Sequence, residues 1–194
     1  MEITVVGTGF IGGTLGRALA AAGHTVQFGS RHPGDDEVAG ESTARTLGVA
    51  EALQGTDVVI LTMPAAAVAE FASAHAGALE SRLVIDATNK MGGPVANARA
   101  DLPPGVRYAR AFNTLGGENM AHPDFGGVRA DMFFSSPEPD RGTVETVIEG
   151  VGLRPIYVGA DQEALLDCLF RLWIDLAVTQ GRGRRLAFRL LEGD

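Results

Sequence analysis

Gly7, Gly9 and Gly12 stand at the spacing Gly-x-Gly-x-x-Gly, after the run Ile3-Thr4-Val5-Val6 and before an Ala- and Leu-rich segment, Thr14 to Ala22. Read as strand, turn and helix, this is the opening of a dinucleotide-binding fold. The glycines have separable jobs. Gly7 permits the tight turn, Gly9 leaves room for a pyrophosphate at the backbone, and Gly12 lets the helix pack close to the strand. The N–H groups near Phe10 to Gly12 then face the anion, so Gly7, Thr8, Gly9, Phe10, Ile11 and Gly12 form the expected phosphate cradle.

The second half of the signal lies about twenty residues on. Thr25 to Phe28 reads as a second strand, followed by Gly29-Ser30-Arg31. A fold that prefers NAD places a carboxylate there for the ribose 2′-hydroxyl. Here no carboxylate follows the strand. A guanidinium pairs with a 2′-phosphate in a fork and a hydroxyl adds a donor, so Ser30 and Arg31 point to NADP(H).

The later strand ends supply the rest of the crevice. Thr62-Met63-Pro64 follows Asp57 to Leu61, and Met63 and Pro64 are expected to pack on the adenine or the nicotinamide ribose. Asn89 follows Leu83 to Asp86; Asn113 and Thr114 follow Val106 to Phe112. Each Asn offers donors and acceptors that suit a carboxamide or ribose hydroxyls. Alone, each reads as a turn residue; two at strand ends facing one crevice raise the binding reading.

The elements that must position these residues alternate strand and helix. The expectation is an α/β fold: a Rossmann-type, doubly wound, mainly parallel sheet with a small C-terminal helical part. The polar stretch His32 to Gly40 reads as a loop over the adenosine end, Ser42 to Gln54 as two short helical pieces, and Ala65 to Ala78 as one helix. Met91 to Gly105 reads as a long loop. Ala130 to Phe134 and Leu153 to Val158 read as further strands, with a helix from Thr143 to Gly150 capped by Thr143 or Asp140. Residues 1–159 form the NADP-binding domain and 160–194 a C-terminal helical segment, for the acceptor or a dimer contact. In that segment Asp161 is the candidate N-cap of a helix to Val178, with a wide apolar stripe. Trp173 reads as core or dimer packing ahead of a lid, and Cys168 as a small buried residue. Arg182, Arg184, Arg185 and Arg189 make a basic cluster.

Composition excludes much else. Of 194 residues, 45% are hydrophobic and 21% charged, as in an ordinary globular domain, and the net charge of −8 argues against a nucleic-acid binder. One cysteine excludes an intrachain disulfide and a Cys-rich metal site. No metal-ligand spacing, nucleophile elbow or phosphate-loop Lys is present. No apolar run approaches a membrane span and no signal peptide is visible, so the expectation is a cytoplasmic protein with no membrane partner.

No catalytic residue stands out. A Tyr-x-x-x-Lys pair is missing: Lys90 is the only Lys and no Tyr precedes it. A carbonyl substrate needs an acid to follow the hydride, whereas transfer to a flavin-like ring depends mainly on stacking and distance. The missing acid favours a redox-cofactor partner.

The motifs Gly7 to Gly12, Gly29-Ser30-Arg31, Leu61-Thr62-Met63-Pro64, Gly152-Leu153-Arg154-Pro155 and the Arg-rich tail resemble the coenzyme F420-dependent NADP reductases over nearly the whole chain. The resemblance implies a compact Rossmann domain, usually a homodimer, that passes hydride between NADPH and a deazaflavin, with Thr8 to Ile11 and Ser30-Arg31 as NADP contacts. Asp86-Ala-Thr-Asn89 and Ala111-Phe-Asn113-Thr114 depart from the archaeal enzymes. They look more like the NADPH-binding domain of the STEAP metalloreductases, which sends electrons to a flavin. The acceptor is therefore open between F420 and a flavin. The Arg182 to Arg189 cluster could hold the polyanionic tail of F420, or be a solvated helix end or dimer contact. The alternatives are a non-enzymatic NADP(H)-binding sensor or subunit, and an imine or small-carbonyl reductase.

Overall fold

The computed structural model describes residues 1–33, 44–90 and 97–193. Six parallel strands form one sheet: β1 Glu2–Val6, β2 Thr25–Ser30, β3 Arg45–Gly48, β4 Val58–Leu61, β5 Leu83–Asp86 and β6 Arg107–Arg110. Their spatial order is β3-β2-β1-β4-β5-β6. The strand order reverses between β1 and β4, and in sheets of this kind the crevice at the C-terminal strand ends beside that point takes the ligand. The helices in chain order are α1 Phe10–Ala21, α2 Val49–Ala52, α3 Val68–Ala74, α4 Ala76–Leu79, α5 Gly117–Ala121, α6 Arg141–Gly150 and α7 Glu163–Ile174.

Strand residues feed two cores by simple alternation. Ile3, Val5, Val58, Ile60, Leu83 and Ile85 face Leu15 and Leu19 of α1 and Val144, Val147 and Ile148 of α6. Val6, Val59, Leu61 and Val84 face Val68, Phe71 and Ala72 of α3. A buried side chain of this kind contributes about 1.5–3 kcal/mol, which is why the apolar strand runs could be recognised as covered on both faces.

Several boundaries differ from expectation. Arg45 to Gly48 is a strand, paired with β2 from Gln27↔Arg45 to Ser30↔Gly48, where a helical piece was expected. Its ladder bonds to β2 outweigh local helix preference; only the single turn of α2 follows. The helix expected over Ala65 to Ala78 is a 3-10 turn, α3 and α4, parted at His75 (φ −121°). β7 Asp131–Phe134 and β8 Arg154–Tyr157 do not extend the main sheet. They pair with each other as a two-stranded parallel sheet, tied to β6 by the bridge Arg110↔Ser135. Asp140 precedes α6 without a side-chain cap bond, and its carboxylate pairs with Arg107 instead. The expected loop over His32 to Gly40 lies outside the described residues from Gly34 on, as does the Met91 to Gly105 loop up to Ala96.

The C-terminal segment is helical only in part. Asp161 is not the N-cap of α7: it adopts φ 57° and the helix begins after Gln162. Helix α7 widens into a π turn, Asp175–Thr179, and Gly181 and Gly183, both at positive φ, reverse the chain. The tail then runs back without regular structure. Trp173 and Ala177 join the core shared by β1 and α1, and Leu186 to Phe188 pack on it. Trp173 is thus a core residue, and its Nε1–H donates to Leu186 O at 2.8 Å. Cys168 is exposed, against expectation. The buried face of α7 is Leu166, Asp167, Phe170 and Trp173, and Cys168 falls outside that arc. Among the described residues no helix is long and apolar enough to cross a membrane.

Candidate active site

The phosphate loop has the geometry its spacing implies. Gly7 adopts φ 114°, which a residue with a side chain reaches only under strain. A Cβ on Gly12 would overlap the Gly7 carbonyl oxygen and lie 2.6 Å from Thr62 Oγ1, so only glycine lets α1 approach β1 this closely. A Cβ on Gly9 would meet nothing within 4 Å. Helix α1 starts there without a side-chain cap and without an acid in its first turn. Its open N–H groups and positive dipole end suit a phosphate. Thr8 and Ile11 are half-buried and Phe10 is 62% exposed.

Strand pairing brings the second half of the motif alongside. Val6 is in register with Gly29, and Gly7 N–H donates to Gly29 O at 3.2 Å. Ser30 and Arg31 therefore emerge next to the glycine turn. Ser30 Oγ accepts His32 N–H at 2.9 Å, and Arg31 is exposed with no carboxylate partner among the described residues. An unpaired cation beside an uncapped helix start is a fit for a pyrophosphate with a 2′-phosphate. Residues Gly7 to Gly12, Ser30 and Arg31 would hold the nucleotide.

The other expected contacts divide. Thr62 sits at the crevice, but its hydroxyl donates to Val6 O (3.0 Å) and Gly7 O (3.1 Å), bracing the glycine turn. Met63 is half-buried against the second core and Pro64 is exposed. Asn89 is half-buried at the tip of β5. Asn113 and Thr114 have no exposed surface, and Thr114 Oγ1 lies 3.6 Å from Met132 Sδ. The structure brings Asn89 to the crevice surface and keeps the side chains of Asn113 and Thr114 behind it.

Behind Asn89 lies a cluster that residue spacing did not reveal. Arg110, on β6, has no exposed surface and pairs with Asp86 of β5 (3.1 Å) and Asp167 of α7 (2.7 Å). It also donates to Thr88 O at 2.6 Å and Asn89 Oδ1 at 3.4 Å. Asp86 accepts in addition the Tyr108 hydroxyl, Ala98 N–H and Thr88 N–H. Burial raises the Tyr108 pKa, and the Asp86 charge raises it further. Tyr108 is thus neither exposed nor acidic enough to protonate a substrate. Phe112, between this cluster and Asn113, holds φ 61°, a strained value for a bulky residue.

Helix α5 closes the nearby wall. A Cβ on Gly117 would lie 2.6 Å from Ile11 Cδ1. Next to it Glu118 pairs with Arg184 of the tail, whose guanidinium stands 5.3 Å from the Trp173 ring centroid. Burial pushes the Glu118 carboxyl up, but the Arg184 hydrogen bond, a backbone N–H and the Arg184 charge together leave it below its ordinary value. The carboxylate form, and with it the clamp, holds above the unfolded pKa of about 4.3 and is lost as pH falls through the lower folded value. Trp173 is the single Trp. Its fluorescence is expected to change on acidification with a midpoint below the ordinary glutamate value, and to lose that transition in Glu118→Gln. An unchanged transition in the variant counts against the assignment.

Two more of the tail arginines are committed as well. Arg185 donates to His122 O and Asp124 O at 2.5 Å each and lies 3.8 Å over the Phe125 ring; Arg189 reaches Arg129 O at 2.9 Å. Three of the four residues of the expected basic cluster fold the tail back.

Residues 2–90 match the model of the NADP oxidoreductases, coenzyme F420-dependent. The matched segment carries the whole Gly7 to Gly12 loop, Ser30-Arg31 and the Thr62 to Pro64 turn, and the chain has a Rossmann fold. A candidate F420-dependent NADP-reductase from Arthrobacter sp. FB24 superposes with TM-score 0.83 at 23% identity, over 99% of this chain and 100% of the other. A hypothetical protein of Sinorhizobium meliloti gives 0.72 at 23%, over 100% and 96%. Streptomyces aurantiacus imine reductase gives 0.74 at 19%, over 93% of this chain and 64% of its own. At such identities these likenesses show a shared fold. Among the described residues no cluster of His, Cys, Asp and Glu could hold a metal ion.

Proposed function

We propose that the chain is an NADP(H)-dependent oxidoreductase that moves hydride between NADP(H) and a deazaflavin or flavin-type acceptor. The observation that carries this reading is the exposed Arg31, which has no carboxylate partner among the described residues, beside the open Gly9 turn; of the two acids nearest the strand tips, neither is free to give a proton. Tyr108 is buried on Asp86, and Glu118 is held as a carboxylate by Arg184. A ring that takes hydride and draws its proton from solvent needs no acid from the protein. NADP(H), when bound, supplies or accepts the hydride. The chain's own residues hold its phosphates at α1 and Arg31 and set its reactive end between the tips of β4, β5 and β6.

A second reading rests on the same missing acid and on the imine-reductase likeness. An iminium ion already carries its proton and can take hydride directly. Imine reduction is therefore the enzyme alternative, ahead of carbonyl reduction. NADPH absorbance followed with F420, FMN, FAD, ferric chelates and a cyclic imine in turn decides among these. Turnover with F420 or a flavin supports the first reading. Turnover with the imine alone replaces it, and turnover with none leaves a nucleotide-binding sensor or subunit.

Cofactor choice has its own test. Arg31→Ala is expected to weaken NADPH by roughly tenfold to over a hundredfold, the equivalent of one charge-assisted hydrogen bond of about 1.5–3 kcal/mol, and to leave NADH affinity nearly unchanged. Calorimetric titration of both nucleotides measures it; equal losses would remove the 2′-phosphate assignment.

A further inference from the structure

We infer that Arg110 is the positioning residue for the nicotinamide end of the crevice, acting through Asn89 and Asn113. This rests on the NADP(H) reading above. The guanidinium is enclosed at the C-terminal ends of β5 and β6, and its donors go to two elements, the end of β5 and α7. Nη1 binds Thr88 O and Asp86, fixing the tip of β5. Nη2 and Nε bind Asp167 Oδ1 at 2.7 and 3.2 Å, fixing α7. Nη2 also reaches Asn89 Oδ1.

That last bond orients an amide that faces the crevice. With its oxygen on Arg110, Asn89 turns its Nδ2 to the carbonyl of Asn113, at 2.9 Å. Asn113 in turn is oriented by the same cluster. Its Nδ2 lies 3.4 Å from Leu166 O and 3.5 Å from Asp167 Oδ1. Among the described residues its Oδ1 and the neighbouring Thr88 Oγ1 are buried without a hydrogen-bond partner. Buried polar atoms are almost always satisfied. Two unsatisfied atoms at adjacent strand tips, beside the one half-buried amide of the crevice, suit a ligand that brings N–H or O–H donors, such as a carboxamide and ribose hydroxyls. Arg110 touches no ligand itself. It sets the direction of the Asn89 amide, which does, and of the Asn113 amide that backs it.

Only the nicotinamide half of the nucleotide should feel this arrangement, because Arg31 and the Gly9 turn hold the other half on the far side of β1. The test compares NADPH with 2′-phospho-ADP-ribose, the same nucleotide without its nicotinamide. Both are titrated into wild type, Arg110→Lys and Asn89→Ala. Arg110→Lys keeps the charge but loses the fork. Asn89→Ala keeps all three charges of the cluster and changes a half-buried side chain, so it carries the test if the Lys variant does not fold. NADPH affinity is expected to fall roughly tenfold or more in each variant, with the affinity for 2′-phospho-ADP-ribose unchanged. An equal fall for both ligands overturns the proposal, since it marks general loosening of the strand ends. No fall for either overturns it too. A wild type that binds neither ligand overturns the NADP(H) reading beneath it.

Discussion

Arg110→Met is expected to cost about 3–5 kcal/mol of stability, the range for breaking a buried ion pair by removing one partner. The size follows from what remains. Asp86 has no exposed surface and Asp167 almost none, and both lose the cation between them. Methionine fills the volume but offers no donor. Thr88 O and Asn89 Oδ1 lose one as well, which adds to the cost. Urea midpoints for wild type and variant at pH 7 measure it. A deficit below about 1 kcal/mol at pH 7 would show that the cluster is an ordinary surface-like pair.

Gly9→Val and Gly12→Val are expected to fail in opposite ways. At Gly9 the backbone lies at φ −68°, which valine adopts, and the added Cβ meets nothing within 4 Å. The fold should survive with a melting temperature close to wild type. The isopropyl group then stands where the pyrophosphate must come, and NADPH affinity should fall at least roughly a hundredfold. At Gly12 the Cβ would overlap the Gly7 carbonyl and crowd Thr62 Oγ1, so α1 must move off β1. Overpacking of this kind costs about 1–3 kcal/mol or more, and nucleotide binding is lost with the loop. Circular dichroism melts beside NADPH titrations separate the two. An unfolded Gly9→Val would make Gly9 a packing residue; a stable Gly12→Val would remove the close helix–strand contact from the account of the fold.

The sequence by itself determined the glycine turn and the apolar strands β1, β2, β4 and β5. Gly7, Gly9 and Gly12 are constrained by backbone approach, Ser30 and Arg31 by their distance from that turn, and the strand runs by burial on both faces. These are local rules, and a glycine pattern or an alternation of apolar residues expresses them directly. The family match covers this same segment. What the sequence left undetermined depends on partners far away in the chain. Arg45 to Gly48 became a strand because β2 lay open beside it. The second parallel pair, β7 with β8, left the main sheet for reasons no local pattern records. Cys168 lay outside the buried arc because the phase of α7 is set by Asp167 meeting Arg110, 57 residues apart. The basic tail read as a holder of an anionic tail, a solvated helix end or a dimer contact because Glu118, Trp173, Phe125 and the carbonyls of His122 and Asp124 are distant in sequence. Asn113 read as a surface contact for the same reason. A strand end names where a side chain emerges, but only the packing of α7 decided that this one turns inward, behind Asn89, on a buried arginine.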